Sequence, residues 1–291
     1  MPAIRTETAD GVRSIILARP EAYNTITPEL RDELAAAIDA ADDDPDVRVM
    51  LLRAEGRAFC AGYALDLEAY AAEDPDALAT LTTMQRADGR LWDSVADYRQ
   101  MKRYVDTYMK LWYAHKPTIA AVSGWAVGGG TDMVLCCDLI VASERATFGY
   151  PPSRVWGTPT TAMWVYRLGL EKAKRYMLTG DAIPAVEAER IGLILQTFSH
   201  DRFEEDAMAL ARRMARVPVN QLIMNKLLAN QTAENMGLGS SRMMGTLFDG
   251  IARHTQEGLA FAARMAEVGH RQAVRERDEP FGDYGSKPRE P

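Results

Sequence analysis

Two short glycine-containing turns, each directly after a predicted strand, constrain this chain of 291 residues more than any other feature. The first covers residues 58–63 (Ala-Phe-Cys-Ala-Gly-Tyr), and the second covers residues 124–130 (Gly-Trp-Ala-Val-Gly-Gly-Gly). Glycine at a strand-to-helix turn lets the backbone bend sharply and lets a ligand approach main-chain N–H groups. The alternative interpretation is that these glycines only permit close packing.

Alternating strand and helix patterns predict an α/β protein with a parallel sheet. Val12–Leu17 has the pattern of a strand, and Thr27-Pro28 predicts a helix start, since threonine caps and proline suits the first turn. The remaining predictions are strands at Val47–Leu52, Thr118–Val122, Leu139–Ala142 and Leu193–Phe198, and helices at 131–137, 158–168 and 171–178.

Two longer regions have helical spacing of apolar residues. Residues 66–115 are mostly helical in pattern, and everything from about 203 to about 275 is helical, beginning with an amphipathic segment at 203–216. We therefore divide the chain into a core (1–200), a helical region (201–276) and a segment rich in proline, glycine and charge (277–291). That last composition predicts a mobile tail.

Composition excludes several classes of function. The net charge is −7, from 34 basic and 41 acidic residues, and no long basic run is present, so nucleic-acid binding is not expected. No stretch approaches 18 uninterrupted apolar residues, so we expect no membrane span. The first residues lack the apolar part of a signal peptide, and three cysteines, two of them adjacent, make no disulfide framework. These features predict a reduced, cytoplasmic protein.

Common cofactor and nucleophile motifs are missing from the sequence. No Gly-x-Gly-x-x-Gly follows a strand, and neither a P-loop nor a Gly-x-Ser-x-Gly turn occurs. The cysteines and the four histidines lack the spacing of metal ligands. We therefore expect no metal and no resident cofactor.

The two glycine turns have a chemical consequence if they face each other. The first N–H groups of a helix lack internal partners and lie at the positive end of its dipole. Two convergent N–H groups form an oxyanion hole, which contributes roughly 3–4 kcal/mol per donor to a developing enolate or tetrahedral oxyanion.

Five segments in a fixed order carry a family resemblance. Together they resemble the crotonase (enoyl-CoA hydratase/isomerase) superfamily, over about residues 4–275. The segments are 19–24 (Arg-Pro-Glu-Ala-Tyr-Asn), 56–62 (Gly-Arg-Ala-Phe-Cys-Ala-Gly), 116–130, 137–143 (Cys-Asp-Leu-Ile-Val-Ala-Ser) and 146–149 (Ala-Thr-Phe-Gly).

This resemblance implies a fold, a substrate and an assembly. The fold is a spiral of ββα units, and the helical region 201–276 builds trimers, often paired into hexamers. The substrate is an acyl-CoA thioester, so that coenzyme A enters as part of the substrate and no further cofactor is implied.

The resemblance also implies roles for the two turns. The amides of Tyr63 and Gly129 would hold the thioester oxygen, with Gly62 and Gly128 beside them. The Ala61 carbonyl would meet the adenine end of coenzyme A. Ala22 and Tyr23 would lie near the pantetheine or the nucleotide.

The catalytic pair departs from the family pattern. The resemblance places two glutamates where this chain has Asp132 and Pro152. Hydration needs one group to orient or deprotonate water and another to deliver a proton, and proline transfers none. Asp132 remains the acid/base candidate, with helix capping as its alternative role. The sequence therefore favours an isomerase or related lyase over an ordinary hydratase.

Other candidate contacts surround these positions. Tyr150 and Arg154 flank Pro152 as hydrogen-bond donors, and Trp156 with Trp164 would form an aromatic acyl pocket unless they are plain core. Asp66 would reach the acyl chain or be solvated at the surface. Two further functions stay open: a hydrolase of thioesters or β-dicarbonyl C–C bonds, and a catalytically silent acyl-CoA binder.

Overall fold

The computed structural model describes residues 2–65 and 92–284, and within them ten strands form two sheets. The large sheet has the order β1-β2-β3-β5-β7-β10, and the small sheet has the order β4-β6-β8-β9. The strands are β1 (Ile4–Ala9), β2 (Val12–Leu17), β3 (Val49–Ala54), β4 (Ala58–Cys60), β5 (Thr118–Val122), β6 (Trp125–Val127), β7 (Leu139–Ser143), β8 (Thr147–Gly149), β9 (Ile183–Pro184) and β10 (Gln196–Phe198).

Eleven α-helices lie in the described ranges, and the last five follow one another without a strand. The helices are α1 (Pro28–Asp43), α2 (Ser94–Tyr113), α3 (Gly129–Leu135), α4 (Met163–Leu168), α5 (Leu170–Met177), α6 (Ala185–Ile191), α7 (Phe203–Met214), α8 (Val219–Asn235), α9 (Leu238–Arg253), α10 (Gln256–Val268) and α11 (His270–Asp278).

The two strands of each successive pair lie in different sheets. β3, β5 and β7 lie in the large sheet, and the strand after each of them (β4, β6 and β8) lies in the small one. The pairings β3–β5, β5–β7, β4–β6 and β6–β8 are all parallel, so each turn of chain repeats the one before it. The predicted α/β spiral of ββα units is confirmed.

Several elements predicted from local sequence patterns lie where they were expected. The predicted strands Val12–Leu17 and Thr118–Val122 are confirmed, and the predicted cap at Thr27 is present, since its hydroxyl accepts a hydrogen bond from Leu30 N at 3.2 Å. The strand predicted at Val47–Leu52 begins and ends two residues later. Between residues 92 and 115 the helical prediction is confirmed by α2, whereas residues 66–91 lie outside the described ranges.

Tertiary contacts override two other predictions. The helix predicted at 158–168 begins only at Met163, because Ala162 has φ 59° and the Thr160 amide bonds to a side chain of α3. The strand predicted from Leu193 begins only at Gln196, since the amides of Leu193 and Ile194 both donate to Ala188 O in the turn after α6.

The mobile tail predicted from Arg277 is wrong for residues 277–284. Arg277 lies in the last turn of α11, and Tyr284 is buried. Arg154 fixes this segment by donating to Asp278 Oδ1 at 3.0 Å and to Asp283 Oδ2 at 2.8 Å. Two carboxylates of this segment therefore pair with a buried arginine and are not simply solvated.

A large apolar core is formed by buried side chains of the sheets and of the helices that cover them. Its members include Cys60, Cys136 and Cys137, which are buried free thiols. Across residues 2–65 and 92–284, no helix combines the length and the hydropathy that a membrane crossing requires. The same part of the chain holds no cluster of three or more histidine, cysteine or acidic residues suited to a metal ion.

Candidate active site

A cavity of about 220 Å³ lies where the two glycine turns meet. This volume is below the ~300–1,000 Å³ of sites that enclose a drug-sized ligand, so it suits a short organic chain. Strand turns line one side of it, and helices α9 and α11 line the other. Its walls are mainly apolar, and they include Ala61, Gly62, Tyr63, Leu65, Met101, Val127, Gly128, Gly129, Tyr150, Pro152, Trp156 and Val274.

The two turns touch through glycine backbone. Gly62 has φ +88°, and a Cβ there would lie 3.0 Å from Val127 O and 3.7 Å from Gly129 N. Gly128 has φ +58° and donates its N–H to Gly149 O at 2.9 Å. Helix α3 begins at the next residue, Gly129. Side chains at these positions would push the turns apart.

Two amides of these turns have no acceptor among the described residues. Ile26 N donates to Gly62 O, and Ala64 N donates to Ile26 O, each in an extended segment, so the Tyr63 N–H between them points away from Ile26. Gly129 is the first residue of α3, where an N–H has no helical partner. Both residues border the cavity.

The Tyr63 ring has a structural role that the sequence did not indicate. It packs over Gly129, where a Cβ would lie 2.7 Å from Tyr63 Cε2 and 2.8 Å from Ile26 Cδ1. Its hydroxyl accepts a hydrogen bond from Tyr108 at 3.2 Å, and its ring meets Tyr104 edge-on. The glycine at 129 therefore makes room for this aromatic cluster.

Asp132 lies behind the second turn and not on the cavity wall. The residue is fully buried in α3, and its Oδ2 accepts hydrogen bonds from Thr160 N at 2.7 Å and Thr160 Oγ1 at 2.9 Å. Its Oδ1 is buried without a partner, since the nearby Trp164 indole does not reach hydrogen-bond geometry. Burial raises the pKa of Asp132 to about 7, and the charge of Asp249 adds to this.

Pro152 borders the cavity at the position where the sequence predicted a missing carboxylate. It lies in the turn of 3-10 helix Pro151–Arg154, and its Cγ is 3.6 Å from where a Cβ of Gly128 would be. Thus the cavity wall beside the second glycine turn is hydrocarbon at this point.

Known proteins that are similar to this chain fall into one family. A family model described as enoyl-CoA hydratase/isomerase matches residues 7–265. The chain belongs to the enoyl-CoA hydratase/isomerase family. The crystal structure of enoyl-CoA hydratase from Mycobacterium smegmatis is 41% identical with a TM-score of 0.89, covering 98% of this chain and 96% of that one.

Two further relatives of this family have lower identity over similar lengths. An enoyl-CoA hydratase/isomerase structure from Xanthobacter autotrophicus Py2 is 28% identical, with a TM-score of 0.81, and covers 96% of this chain and 98% of that one. A Rhizobium meliloti protein named "probable enoyl-CoA hydratase" is 32% identical over 275 residues, which are 91% of this chain and 97% of that protein.

Several residues predicted from the family resemblance do line the cavity. Ala61, Gly62, Gly128, Tyr150 and Trp156 all border it. The Tyr150 hydroxyl donates to Thr158 O at 2.7 Å, so its one proton is already engaged. Trp156 stacks edge-on against Phe261, with ring centroids 4.8 Å apart.

Other predicted residues lie elsewhere. Arg154 does not border the cavity, because its guanidinium is buried against Asp278 and Asp283, so its predicted contact with substrate gains no support. Trp164 belongs to the core and not to an acyl pocket. Ala22 and Tyr23 lie off the cavity, although Tyr23 O accepts the Ala61 amide at 3.1 Å. Asp66 lies outside the described residues.

The helical side of the cavity carries a charged pair that sequence reasoning missed. Asp249 and Arg253 of α9 both border the cavity, and Arg253 also donates to Asp97 Oδ1 of α2 at 2.5 Å. Burial raises the pKa of Asp249, although the Arg253 charge opposes this. In the sequence the two residues have the i, i+4 spacing of an ordinary ion pair on a helix surface, which does not indicate an active site.

Proposed function

We propose that this enzyme polarises the carbonyl of an acyl-CoA thioester and stabilises its enolate with the amides of Tyr63 and Gly129. Two observations support this role: both residues border the cavity, and neither N–H group has an acceptor among the described residues. Such a pair of fixed donors stabilises negative charge that develops on the oxygen.

We propose an isomerase or related lyase reaction in preference to hydration. The observation that carries this preference is Pro152, which puts hydrocarbon on the cavity wall where a second acid/base group is expected. Hydration requires one group to activate water and another to deliver a proton. Double-bond isomerisation needs only one base, which removes a proton and returns it to another carbon.

Asp132 is the proton-transfer residue that the sequence predicts, and part of its environment supports that role. Its pKa of about 7 suits a group that gains and loses a proton near neutrality. Its position does not bring it to a substrate, since Thr160 engages Oδ2 and the residue is absent from the cavity wall. Asp132 would therefore not contact the acyl chain directly.

The remaining parts of the proposal concern coenzyme A and assembly. Ala22 and Tyr23 would meet the pantetheine or nucleotide beside Ala61, and coenzyme A would come only as part of the substrate. We propose a trimer or hexamer in the cytoplasm. The exposed apolar side chains of Met243, Met244, Phe248 and Ile251 on α9 support an assembled state.

A panel of enoyl-CoA and β-ketoacyl-CoA thioesters, with mass spectrometry and NMR of the products, tests the function. We expect a shifted double bond, or cleavage of a C–C bond, without net addition of water. A hydroxyacyl-CoA product would contradict the preference against hydration, and release of free acid would establish the hydrolase instead. Binding of coenzyme A thioesters without any turnover would identify a silent binder.

A further inference from the structure

We infer that Asp249 is the residue that transfers the proton to and from the acyl chain, at the part of the cavity where Pro152 supplies no carboxylate. This inference rests on the proposed enolate chemistry and names the group that performs its proton transfer. Asp249 lies in helix α9, far along the chain from Pro152 in the 3-10 turn Pro151–Arg154.

Asp249 and Pro152 border the same small volume. Both contact Gly157, where a Cβ would lie 2.8 Å from Pro152 Cβ and 3.3 Å from Asp249 Oδ1. Both also line the cavity that Tyr63 and Gly129 border. A carboxylate from α9 thus lies on the same part of the cavity wall as Pro152.

Close packing of α9 holds Asp249 in this place. A Cβ at Gly245 would lie 2.7 Å from Pro159 O, and a Cβ at Gly250 would lie 2.2 Å from Asp97 Oδ2. Between them, the Thr246 hydroxyl donates to Thr160 O at 3.2 Å. These contacts fix α9 against the loop 157–160 on one side and against α2 on the other.

The Asp249 carboxylate is positioned and still able to accept a proton. Its Oδ2 accepts a hydrogen bond from Arg253, and its Oδ1 accepts the Thr158 amide at 3.3 Å. Each carboxylate oxygen has two lone pairs, so both oxygens keep one for a substrate. Arg253 also serves Asp97, so two carboxylates share this guanidinium.

The other acidic residue on the described cavity wall is less suited to this role. Asp278 accepts hydrogen bonds from Arg154 at 3.0 Å and from Arg277 at 2.8 Å and 2.7 Å. Asp278 Oδ1 accepts from both guanidinium groups, so both of its lone pairs are already used. Among the described residues of the cavity wall, Asp249 is the carboxylate that pairs with one arginine, Arg253.

The proposed step is balanced within the substrate and Asp249. The carboxylate takes a proton from the carbon next to the C=C bond, and the C–H electron pair becomes the new double bond of a dienolate. The amides of Tyr63 and Gly129 hold the dienolate oxygen. Asp249 then returns the proton to the other end of the conjugated system, so the double bond moves with no oxidation and no net gain of atoms.

The test compares Asp249→Asn with Asp97→Asn. Both carboxylates are buried and paired with Arg253, but Asp97 does not border the cavity. We expect Asp249→Asn to lower kcat for isomerisation by about 10²–10⁴-fold with little change in KM, as removal of an acid/base group does. Asp97→Asn should lower the stability of the protein and keep kcat within roughly tenfold of wild type, because Asp97 does not touch the substrate. Loss of a general acid or base lowers kcat by more than that.

A double variant separates a chemical role from a structural one. Pro152→Glu in the Asp249→Asn background restores a carboxylate to the same volume, and we expect it to recover part of kcat. Asp249→Glu keeps the Arg253 pair and moves the carboxylate, so it should fold and show an intermediate kcat. Near-wild-type kcat in Asp249→Asn, or equal losses in the two asparagine variants, would overturn the inference.

The wild-type protein distinguishes this inference from the proposed function. Exchange of substrate C–H for deuterium in D₂O, followed by NMR, reports enolate formation without requiring a known product. Wild-type protein that exchanges no proton in any thioester of the panel overturns the proposed function itself. Wild-type exchange that survives Asp249→Asn overturns only the role of Asp249.

Discussion

The two sides of the cavity are built on different principles. The turn side presents main-chain amides, held in place by Gly62, Gly128 and Gly129 within two short segments of sequence. The helix side presents the charged side chains of α9 and α11, which reach the cavity only through tertiary packing. The comparison teaches that the groups proposed to polarise the carbonyl are encoded locally and that those proposed to handle protons are not.

Gly129→Ala tests the turn side and should have the largest effect. The added methyl group would lie 2.7 Å from Tyr63 Cε2 and 2.8 Å from Ile26 Cδ1, so the Tyr63 segment must move. We expect kcat to fall by about 10²–10³-fold, the loss typical of one oxyanion donor.

The control for this change is Gly239→Ala. Gly239 lies in α9, and a Cβ there would be 3.9 Å from its nearest neighbour, so alanine fits. Its stability should rise by up to about 1 kcal/mol because alanine favours a helix, with no change in kcat. Equal activity of the two variants would show that the amide geometry does not matter.

Arg154→Met tests how firmly the C-terminal residues close the helix side. The change leaves Asp278 and Asp283 without their guanidinium partner, and the side chain of Asp278 is only 1% exposed. Breaking such a buried pair costs about 3–5 kcal/mol of stability. Chemical denaturation measures the loss, and hydrogen exchange should show it concentrated in residues 270–284. A loss spread evenly over both sheets would contradict this account.

Asp132→Asn tests the buried acid behind the turn side. The pKa of Asp132 is raised from 3.8 to about 7, so between these values the folded protein holds a proton that the unfolded chain releases. Wild-type stability should therefore fall, relative to the variant, as pH rises from about 4 to about 7. The full difference is at most roughly 4 kcal/mol.

Denaturation curves at several pH values provide the measurement for Asp132→Asn. Parallel dependence of the two proteins on pH would mean that Asp132 is already ionised in the fold. For catalysis, a smaller loss of kcat than in Asp249→Asn is expected, since Asp132 does not border the cavity.

Thr27→Ala gives the smallest expected effect and tests a purely local signal. The Thr27 hydroxyl accepts a hydrogen bond from Leu30 N at the start of α1. Loss of such a cap costs about 1 kcal/mol. Thermal unfolding should detect it, with kcat unchanged. A loss of stability as large as that of Arg154→Met would mean that this local cap contributes as much as a buried tertiary ion pair, contrary to the expectation.

Sequence patterns predicted the parts of the fold that depend on neighbours along the chain. The apolar run Val12–Leu17 and the Thr27-Pro28 start both have local causes. The first strand, Ile4–Ala9, escaped prediction because it lies at the sheet edge and exposes five of its six residues. The start of α4 was misplaced because Thr160 bonds to Asp132, a contact across 28 positions.

The candidate site divides in the same way. Tyr63, Gly129 and Pro152 line the cavity as expected, because they belong to motifs with a fixed place in the spiral. Asp249 and Arg253 escaped notice, since their i, i+4 spacing matches that of any solvated helix. The segment 277–284 was misread because its charges, typical of a tail, pair with one buried arginine.

Main-chain donors on one side of the cavity have a consequence for how this protein tolerates mutation. A single codon change deletes any carboxylate or guanidinium, but it cannot delete the peptide N–H of residue 63, whatever side chain stands there, unless proline replaces it. In the proposed mechanism, carbonyl polarisation is thus robust against most substitutions at that position, whereas the choice of reaction would drift by exchanging a few residues along one helix. A protein built in this way is free to change what it makes while continuing to bind the same class of thioester.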